Sequence, residues 1–230
     1  MRVYHLLSAE WGLSNLALRR MKVSRLHELN DPFELLAVNL AKRKDNRKLF
    51  REWKLELSKS KGLLCFSKKW SNPVLWSHYA SRHYGMCLGF DLSDSFTKDV
   101  NYSPERLLAQ LDDDGQISVG HEFVESMLHT KYAHWSYEEE TRTFVDLDPA
   151  TEESGKYFFS FGSDLVLREV ILGSLCEIPI DSVRTLVDRT YESVYVMKSR
   201  LAFQTFTVIE DRSARRETPP NQPLHPDARG

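Results

Sequence analysis

The chain has 230 residues, of which 41% are hydrophobic and 28% charged, a composition typical of a soluble globular domain with one sizeable core. Its 31 basic and 33 acidic residues give a net charge of 31 − 33 = −2, which excludes an overall charge suited to nucleic acid or membrane surfaces. The three cysteines are odd in number and lack metal-ligand spacing, which indicates a reduced protein rather than a disulfide scaffold or a zinc site.

The periodicity of apolar residues predicts an α+β domain. Helices and strands follow one another without strict βαβ alternation, which favours a mixed, mostly antiparallel sheet with packed helices over a doubly wound sheet. The apolar runs 63–66, 87–90, 141–145 and 170–172 are expected in one sheet. The predicted strands cover residues 2–7, 21–25, 62–67, 86–91, 139–147, 156–161, 166–173, 194–197 and 202–209. The predicted helices cover residues 9–19, 45–59, 74–83, 119–130 and 181–190.

The composition changes near the C-terminus. Residues 212–230 contain four of the nine prolines and four arginines but almost no large apolar side chain. Such a segment cannot bury a core, so we expect a single domain over residues 1–211 followed by a disordered tail. No apolar stretch approaches the length of a membrane span and the first residues do not resemble a signal peptide. We therefore expect a cytoplasmic protein without a membrane partner.

The segment around residue 140 carries the first candidate site. If this segment forms a strand, the two-residue period puts Glu138, Glu140 and Arg142 on one face. Glutamates are suited to act as a general base or to bind a substrate hydroxyl, whereas a solvated face with a paired arginine is the structural alternative. Because same-face neighbours on a strand are about 7 Å apart, we expect Glu140 to bind a ligand hydroxyl. For the same reason we expect Arg142 to pair with a carboxylate elsewhere, such as Asp31 or Glu34.

Other polar residues lie at predicted strand ends and helix starts. Asn30, Asp31 and Pro32 form a strong local break, and polar residues precede the predicted helix that carries an aromatic face. His78 lacks the histidine four residues later that a helical zinc pair would need, so no metal is expected. The candidate site comprises His5, Asn30, Asp31, Glu34, Ser67, Trp76, His78, Tyr79, Glu138, Glu140 and Arg142.

A series of motifs, in order along about residues 3–210, resembles the domain-of-unknown-function family 2971 of bacterial proteins. The motifs are Tyr4-His5, Asn30-Asp31-Pro32-Phe33-Glu34, Cys65-Phe66-Ser67, Leu75-Trp76-Ser77-His78-Tyr79-Ala80 through His83-x-Gly85, Cys87-Leu88-Gly89-Phe90-Asp91, Trp135-x-Tyr137-Glu138-x-Glu140-x-Arg142 and Arg168-Glu169-Val170-Ile171-Leu172-Gly173. Each motif is short, and their combination and order carry the resemblance. Since that family is named for its unknown function, membership implies no particular activity.

The same residues are also similar in plan to the ADP-ribosyltransferase fold. The matching positions are His5 on the first strand, Ser67 or Tyr79 near the next strand–helix unit, and Glu138-x-Glu140 on a later strand. The resemblance implies NAD as a substrate, with His5, Ser67, Trp76 and Tyr79 in its binding site. It also implies that Glu138 and Glu140 are the catalytic carboxylates, the last one bonding the 2′-hydroxyl of the nicotinamide ribose. The acceptor, a macromolecule or a small molecule, and the oligomeric state stay undefined. Analogy with other such bacterial folds implies an effector in phage defence or a toxin system.

Two alternatives use the same residues differently. A metal-dependent nuclease would use Asp31, Glu34, Glu138 and Glu140 as ligands. A non-catalytic binding module would use the glutamates and Arg142 as a structural ion-pair network, because buried polar groups that satisfy one another need no catalytic role.

Overall fold

The computed structural model describes residues 1–31, 33, 37–39, 44–93, 95–108 and 120–214, and these form the expected α+β domain. The helices are α1 (Ala9–Leu18), α2 (Lys44–Ser60), α3 (Pro73–Tyr79), α4 (His121–Leu128) and α5 (Ile180–Thr190), and 3₁₀ turns cover Ala133–Glu138, Pro149–Thr151 and Arg212–Ala214. The strands are β1 (Arg2–Leu7), β2 (Arg20–Arg25), β3 (Val38–Asn39), β4 (Lys61–Ser67), β5 (Met86–Asp91), β6 (Lys98–Asp99), β7 (Asn101–Ser103), β8 (Leu107–Leu108), β9 (Thr130–Tyr132), β10 (Glu140–Asp146), β11 (Glu152–Glu153), β12 (Lys156–Ser160), β13 (Val166–Leu172), β14 (Tyr195–Leu201) and β15 (Val208–Glu210).

Most of these strands belong to one large sheet that is antiparallel except between β13 and β14. Its order is β11-β12-β2-β4-β1-β5-β13-β14-β15, with β10 beside β4 and β6 beside β10. The four apolar runs predicted to share a sheet, in β4, β5, β10 and β13, do so. Two short parallel ribbons, β3–β8 and β7–β9, lie outside this sheet. The predicted fold class is therefore confirmed.

The central strands of the sheet are covered on both faces, as their apolar composition requires. Adjacent residues of β13 face different clusters: Val170 packs in the main core, and Ile171 packs in a second cluster with Trp76 of α3. On the main-core side, α5 contributes the fully buried Val183 and α1 contributes Leu16. The hydroxyl of Ser8 caps α1 by accepting from the amide of Trp11, which explains why the helix begins there. None of the helices in the described ranges is long and apolar enough to cross a membrane.

Strands β1 and β2 separate along one edge of β4, and a cleft opens between them. One edge of β4 pairs with β10 along its whole length. The opposite edge pairs with β2 near its start and meets β1 at the single pair Tyr4 and Ser67. Between these contacts the ring of His5 lies against β4, with its Nδ1 3.0 Å from the carbonyl oxygen of Cys65. His5 and Ser67 therefore lie at the same opening.

The prediction for the third helix is wrong at its C-terminal end. α3 ends at Tyr79 rather than at His83, because Ser81, Arg82 and His83 have φ angles of 47°, 55° and 71°. Left-handed backbone is unfavourable by roughly 1–2 kcal/mol for a residue with a Cβ, so packing must hold this turn. The local helical signal could not reveal packing by distant residues. Tyr79 becomes the last helical residue and points its hydroxyl into the cleft region.

Two further expectations are corrected near the C-terminus. The strand predicted over 202–209 is only Val208–Glu210, and the preceding loop exposes Phe203 and Phe206 by 93% and 97%. Residues 202–207 include two Phe and two Thr, which favour strands, but no strand in the described ranges pairs with them. Residues 212–214 were predicted to be disordered but form a 3₁₀ turn, and the carbonyl of Ala214 accepts from Arg184 Nη2 at 2.6 Å. Residues 215–230, and the turn expected at residues 112–115, lie outside the described residues.

Glycine at position 173 is required by the left-handed turn after α3. A Cβ added at Gly173 would lie 2.1 Å from the carbonyl oxygen of His83, whereas one at Gly162 would meet nothing within 4 Å. We expect Gly173→Ala to lower the free energy of unfolding by roughly 3 kcal/mol, because backbone must move to accommodate the methyl group. Gly162→Ala should change it by less than about 0.5 kcal/mol. Urea unfolding of both variants measures the difference, and equal stability would contradict the close approach.

Candidate active site

A cavity of about 320 Å³ opens where the sheet parts. Part of its wall is apolar, with Leu6, Phe66 and Leu75, and Lys131 lies beside its carboxylates. An apolar cavity with a few convergent polar groups is usual for a small-molecule site. Of the residues predicted from the sequence, those that line it are His5, Asn30, Ser67, Tyr79, Glu138 and Glu140.

Glu138 and Glu140 reach this cavity from different elements, which corrects the prediction that both lie on one strand face. Glu138 is the last residue of a 3₁₀ turn, and Glu139 then reverses the backbone with a φ of 43°. β10 begins only at Glu140. The two carboxylates nevertheless converge, because the ammonium of Lys131 lies 2.6 Å from Glu138 Oε2 and 3.0 Å from Glu140 Oε2.

Lys131 is the residue that the sequence reasoning missed. Its side chain is 5% exposed, it sits in β9, and its ammonium lies 5.0 Å from the centroid of the Trp135 ring. The apolar pattern predicts a helix over residues 119–130 and no strand at Lys131. The signal available was Thr130-Lys131-Tyr132, where two strand formers flank a lysine, and it is too short to identify a strand by itself. Strand β9 pairs with β7, which carries Tyr102. The amide of Glu140 donates to the hydroxyl of Tyr102 at 2.8 Å.

Arg142 is the partner of Glu140, contrary to the expectation from strand spacing. Arg142 Nε donates to Glu140 Oε1 and Nη2 donates to Oε2, both at 2.9 Å. The long arginine side chain folds back along the strand, so the distance between Cα positions does not prevent pairing. A third nitrogen, Nη1, is 3.3 Å from the carbonyl oxygen of Leu128. Both oxygens of Glu140 are therefore engaged by protein cations.

The pKa values of the two glutamates shift in opposite directions. Burial raises the pKa of Glu140, but the charges of Arg142 and Lys131 outweigh it and lower the pKa to about 2. Burial also raises the pKa of Glu138, and there Lys131 offsets the effect only in part, so the net pKa is raised. Glu140 is thus a fixed anion, whereas Glu138 is the carboxyl whose protonation responds more readily to its surroundings.

A tyrosine and an asparagine complete the contacts of Glu138. The hydroxyl of Tyr79 donates to Glu138 Oε1 and accepts from Asn30 Nδ2 at 2.7 Å. Burial and the neighbouring Glu138 charge raise the pKa of Tyr79, so the phenol keeps its proton. Glu138 therefore has one cation and one neutral donor as partners. The hydrogen bond from Tyr79 is the contact that a ligand hydroxyl could replace most easily, because it involves no second charge.

His5 also lines this cavity, as a neutral imidazole. Burial lowers the pKa of His5, and its bond to the Cys65 carbonyl offsets this only in part. Because a carbonyl oxygen can only accept, Nδ1 carries the proton. Nε2 is then left with a lone pair that can accept from a ligand hydroxyl.

Three of the predicted residues make contacts of a structural kind. Trp76 is fully buried and its indole Nε1 donates to the Trp70 carbonyl at 2.6 Å, so it belongs to the core and not to the cavity wall. Asp31 is 4% exposed, and its Oδ1 accepts from the amide of Phe33 at 2.8 Å, as in an Asx turn. The hydroxyl of Ser67 donates to the Lys69 carbonyl at 2.8 Å.

The remaining two predicted residues lie away from the cavity or beyond the described chain. His78 is exposed on α3 and stacks at 6.2 Å on the ring of Tyr137. Glu34 lies outside the described residues. Within the described ranges, no three His, Cys, Asp or Glu side chains converge as a metal site would require.

No family model, curated protein or solved structure matches this chain. The resemblances to family 2971 and to the ADP-ribosyltransferase fold therefore stay predictions made from the motifs.

Replacing Glu140 by glutamine should destabilise the fold, because Arg142 and Lys131 would keep buried charges with one anion fewer. Breaking a buried ion pair costs about 3–5 kcal/mol. Since the folded pKa of about 2 lies below the ordinary 4.5, the contribution of Glu140 is fully present above pH 4.5 and is lost as pH falls toward 2. We expect Glu140→Gln to lower unfolding free energy at pH 7 and to flatten its decline in acid.

The matched control is the adjacent Glu139→Gln, because Glu139 is partly exposed and its ion pair with Lys69, at 2.8 Å, is a surface one. Such pairs contribute about 0–1 kcal/mol. Urea unfolding at pH 7 and pH 3 compares the two variants with the parent chain. A Glu140→Gln protein as stable as Glu139→Gln would show that the network does not stabilise the fold.

Proposed function

We propose that this chain is an NAD-using, ADP-ribosyltransferase-like enzyme in which Glu138 is the catalytic carboxylate. The observation that carries the proposal is that Glu138, His5 and Tyr79 line one cavity where the sheet parts, with Tyr79 donating to Glu138. These are the positions at which the sequence resembles that fold. The motif resemblance alone would favour Glu140, but both of its oxygens already accept from Arg142 and Lys131.

The chemistry requires a carboxylate beside a sugar that becomes cationic. In the proposed step the bond between the ribose C1′ and the nicotinamide nitrogen breaks, and its electron pair leaves with nicotinamide. Water or an acceptor oxygen then supplies a pair to C1′ and loses a proton. Glu138 would accept a hydrogen bond from the ribose 2′-hydroxyl and stabilise the oxocarbenium-like transition state by its charge, an effect that is strongest where water is excluded.

The other residues of the cavity would bind and orient the substrate. Neutral His5 would accept from a ribose hydroxyl through Nε2, while Phe66 and Leu75 supply apolar surface for a planar base. Tyr79 would orient Glu138 and supply an aromatic face at the same position. Lys131 holds Glu138 ionised against its raised pKa by pairing with it at 2.6 Å.

Glu138→Gln should lower NAD turnover by at least about a hundredfold, because it removes the charge that stabilises the transition state while keeping the shape. Glu139→Gln should leave turnover unchanged. Nicotinamide release from NAD measures the rate, and a thermal melt checks that each variant is folded. Full activity in folded Glu138→Gln would refute Glu138 as the catalytic carboxylate. Loss of activity in folded Glu140→Gln, with Glu138→Gln still active, would move the role to Glu140.

A role as an effector in phage defence or in a toxin system would make the activity harmful to the producing cell. We expect induced synthesis of the parent chain in bacterial cells to arrest growth and to lower cellular NAD, and we expect Glu138→Gln to do neither. Glu139→Gln should behave as the parent chain does. Normal growth and normal NAD at matched protein levels would count against the effector role.

A second candidate is a non-catalytic binding module, and the ion-pair network of Glu140, Arg142 and Lys131 favours it. Buried charges that satisfy one another need no substrate. NAD binding by the parent chain without any nicotinamide release would support this reading.

A nuclease centred on Glu138 and Glu140 is the least favoured reading, because Lys131 already holds a positive charge between the two carboxylates.

A further inference from the structure

A second cavity, of about 370 Å³, lies beside the first, and Lys131 borders both. The β7–β9 ribbon contributes to each, through the in-register pairs of Tyr102 with Lys131 and of Ser103 with Tyr132. Side chains alternate between the two faces of a strand. Tyr102 and Lys131 contact Glu140, whereas Ser103 and Tyr132 line the second cavity.

Two charged side chains at this second cavity have no ion-pair partner in the described part of the chain. Arg106 lies over the ring of Phe33, with its Cζ 5.1 Å from the ring centroid. The backbone carbonyl of Glu105 accepts from Ser103 Oγ at 2.6 Å, which fixes the position of this residue. The Glu105 side chain is exposed, so its carboxylate is available to a ligand. An unpaired guanidinium can bind a phosphate, and an unpaired carboxylate can accept from N–H donors.

Tyr132, which lines the same cavity, is one member of an exposed aromatic pair. The rings of Tyr132 and His134 are parallel, 4.7 Å apart and inclined by only 4°, and Tyr132 is 47% exposed. The hydroxyl of Tyr132 has no hydrogen-bond partner among the described residues. A planar ligand ring such as a nucleobase can stack on such a pair.

We propose that the second cavity binds a guanine nucleotide unit. The base would stack on Tyr132, and Arg106 would bind the phosphate. Among the common bases, guanine presents two adjacent N–H groups on its Watson–Crick edge, which match a single carboxylate, and Glu105 would accept from them. One available guanidinium and a chain charge of −2 suit a single nucleotide unit better than a long strand.

Because this cavity shares Lys131 with the first, the nucleotide would be the acceptor in the proposed transfer. A hydroxyl oxygen of the nucleotide would form the new bond to C1′ as nicotinamide leaves with the electron pair of the broken bond, and the hydroxyl proton would pass to solvent. The acceptor role of the nucleotide rests on the proposed function. Nucleotide binding to the second cavity does not, because binding is measured without NAD. The two proposals can therefore fail separately. Guanine nucleotide binding without NAD cleavage would remove only the enzyme, and NAD cleavage without nucleotide binding would remove only this site.

The test is titration of the full chain with GMP and with AMP, followed by calorimetry or by intrinsic fluorescence. We expect GMP to bind more tightly than AMP and Glu105→Gln to remove that preference. Tyr132→Ala and Arg106→Gln should each weaken GMP binding roughly tenfold, and Tyr132→Phe should retain it because the ring can still stack. Tyr84→Ala and Arg189→Gln are matched controls at other exposed positions and should change nothing.

Tighter binding of a short guanine-containing RNA than of GMP also supports the site, and assigns it to a strand rather than to a free nucleotide. Equal affinity for AMP and GMP, no binding of either, or GMP binding that survives both Tyr132→Ala and Arg106→Gln would overturn the proposal.

Discussion

The ammonium of Lys131, buried between Glu138 and Glu140, is the interaction on which the arrangement of the site depends. With Arg142 it makes a cluster of two cations and two anions in a water-poor environment. Each isolated ion would cost several kcal/mol to bury, so the cluster is most stable when all four charges are in place. Three chain segments supply them: β9, the 3₁₀ turn that follows it, and β10. The electrostatic requirement therefore fixes these segments against one another.

The two glutamates differ because their partners differ. Glu140 accepts from Arg142 through both oxygens and from Lys131 through one, so its charge is fully compensated and its pKa is low. Glu138 shares only Lys131 and takes its other bond from neutral Tyr79, so burial dominates and its pKa rises. Two carboxyls in one cluster thus separate into a structural anion and a group that can exchange its partner. That separation is the physical reason for assigning chemistry to Glu138.

The sequence was most informative where the determining signals are local. Strand β5 and the start of α1 follow from an apolar run and from a capping serine within a few residues, and both lie where the pattern predicted them. The resemblance of the motifs grouped His5, Tyr79 and Glu138 in one candidate site, and all three line one cavity. Lys131 was not predicted, since its role depends on β9 pairing with β7 and on two glutamates from other elements. The end of α3 was missed for the same kind of reason: Gly173, far later in the chain, packs against His83.

Lys131 also connects the two cavities, and this has an energetic consequence. An anion bound in the second cavity would attract the ammonium and weaken its hold on Glu138. The Glu138 carboxylate would then be less compensated, and its pKa would rise further. A ligand hydroxyl that donates to Glu138 would replace part of the lost stabilisation, and this hydrogen bond is the favourable contribution to the coupling between the two occupants. Linkage makes this coupling equal in both directions. Because the coupling passes through one side chain with two anionic partners, it needs no movement of the sheet. Through Lys131 alone, a ligand in one cavity would change the electrostatic potential in the other.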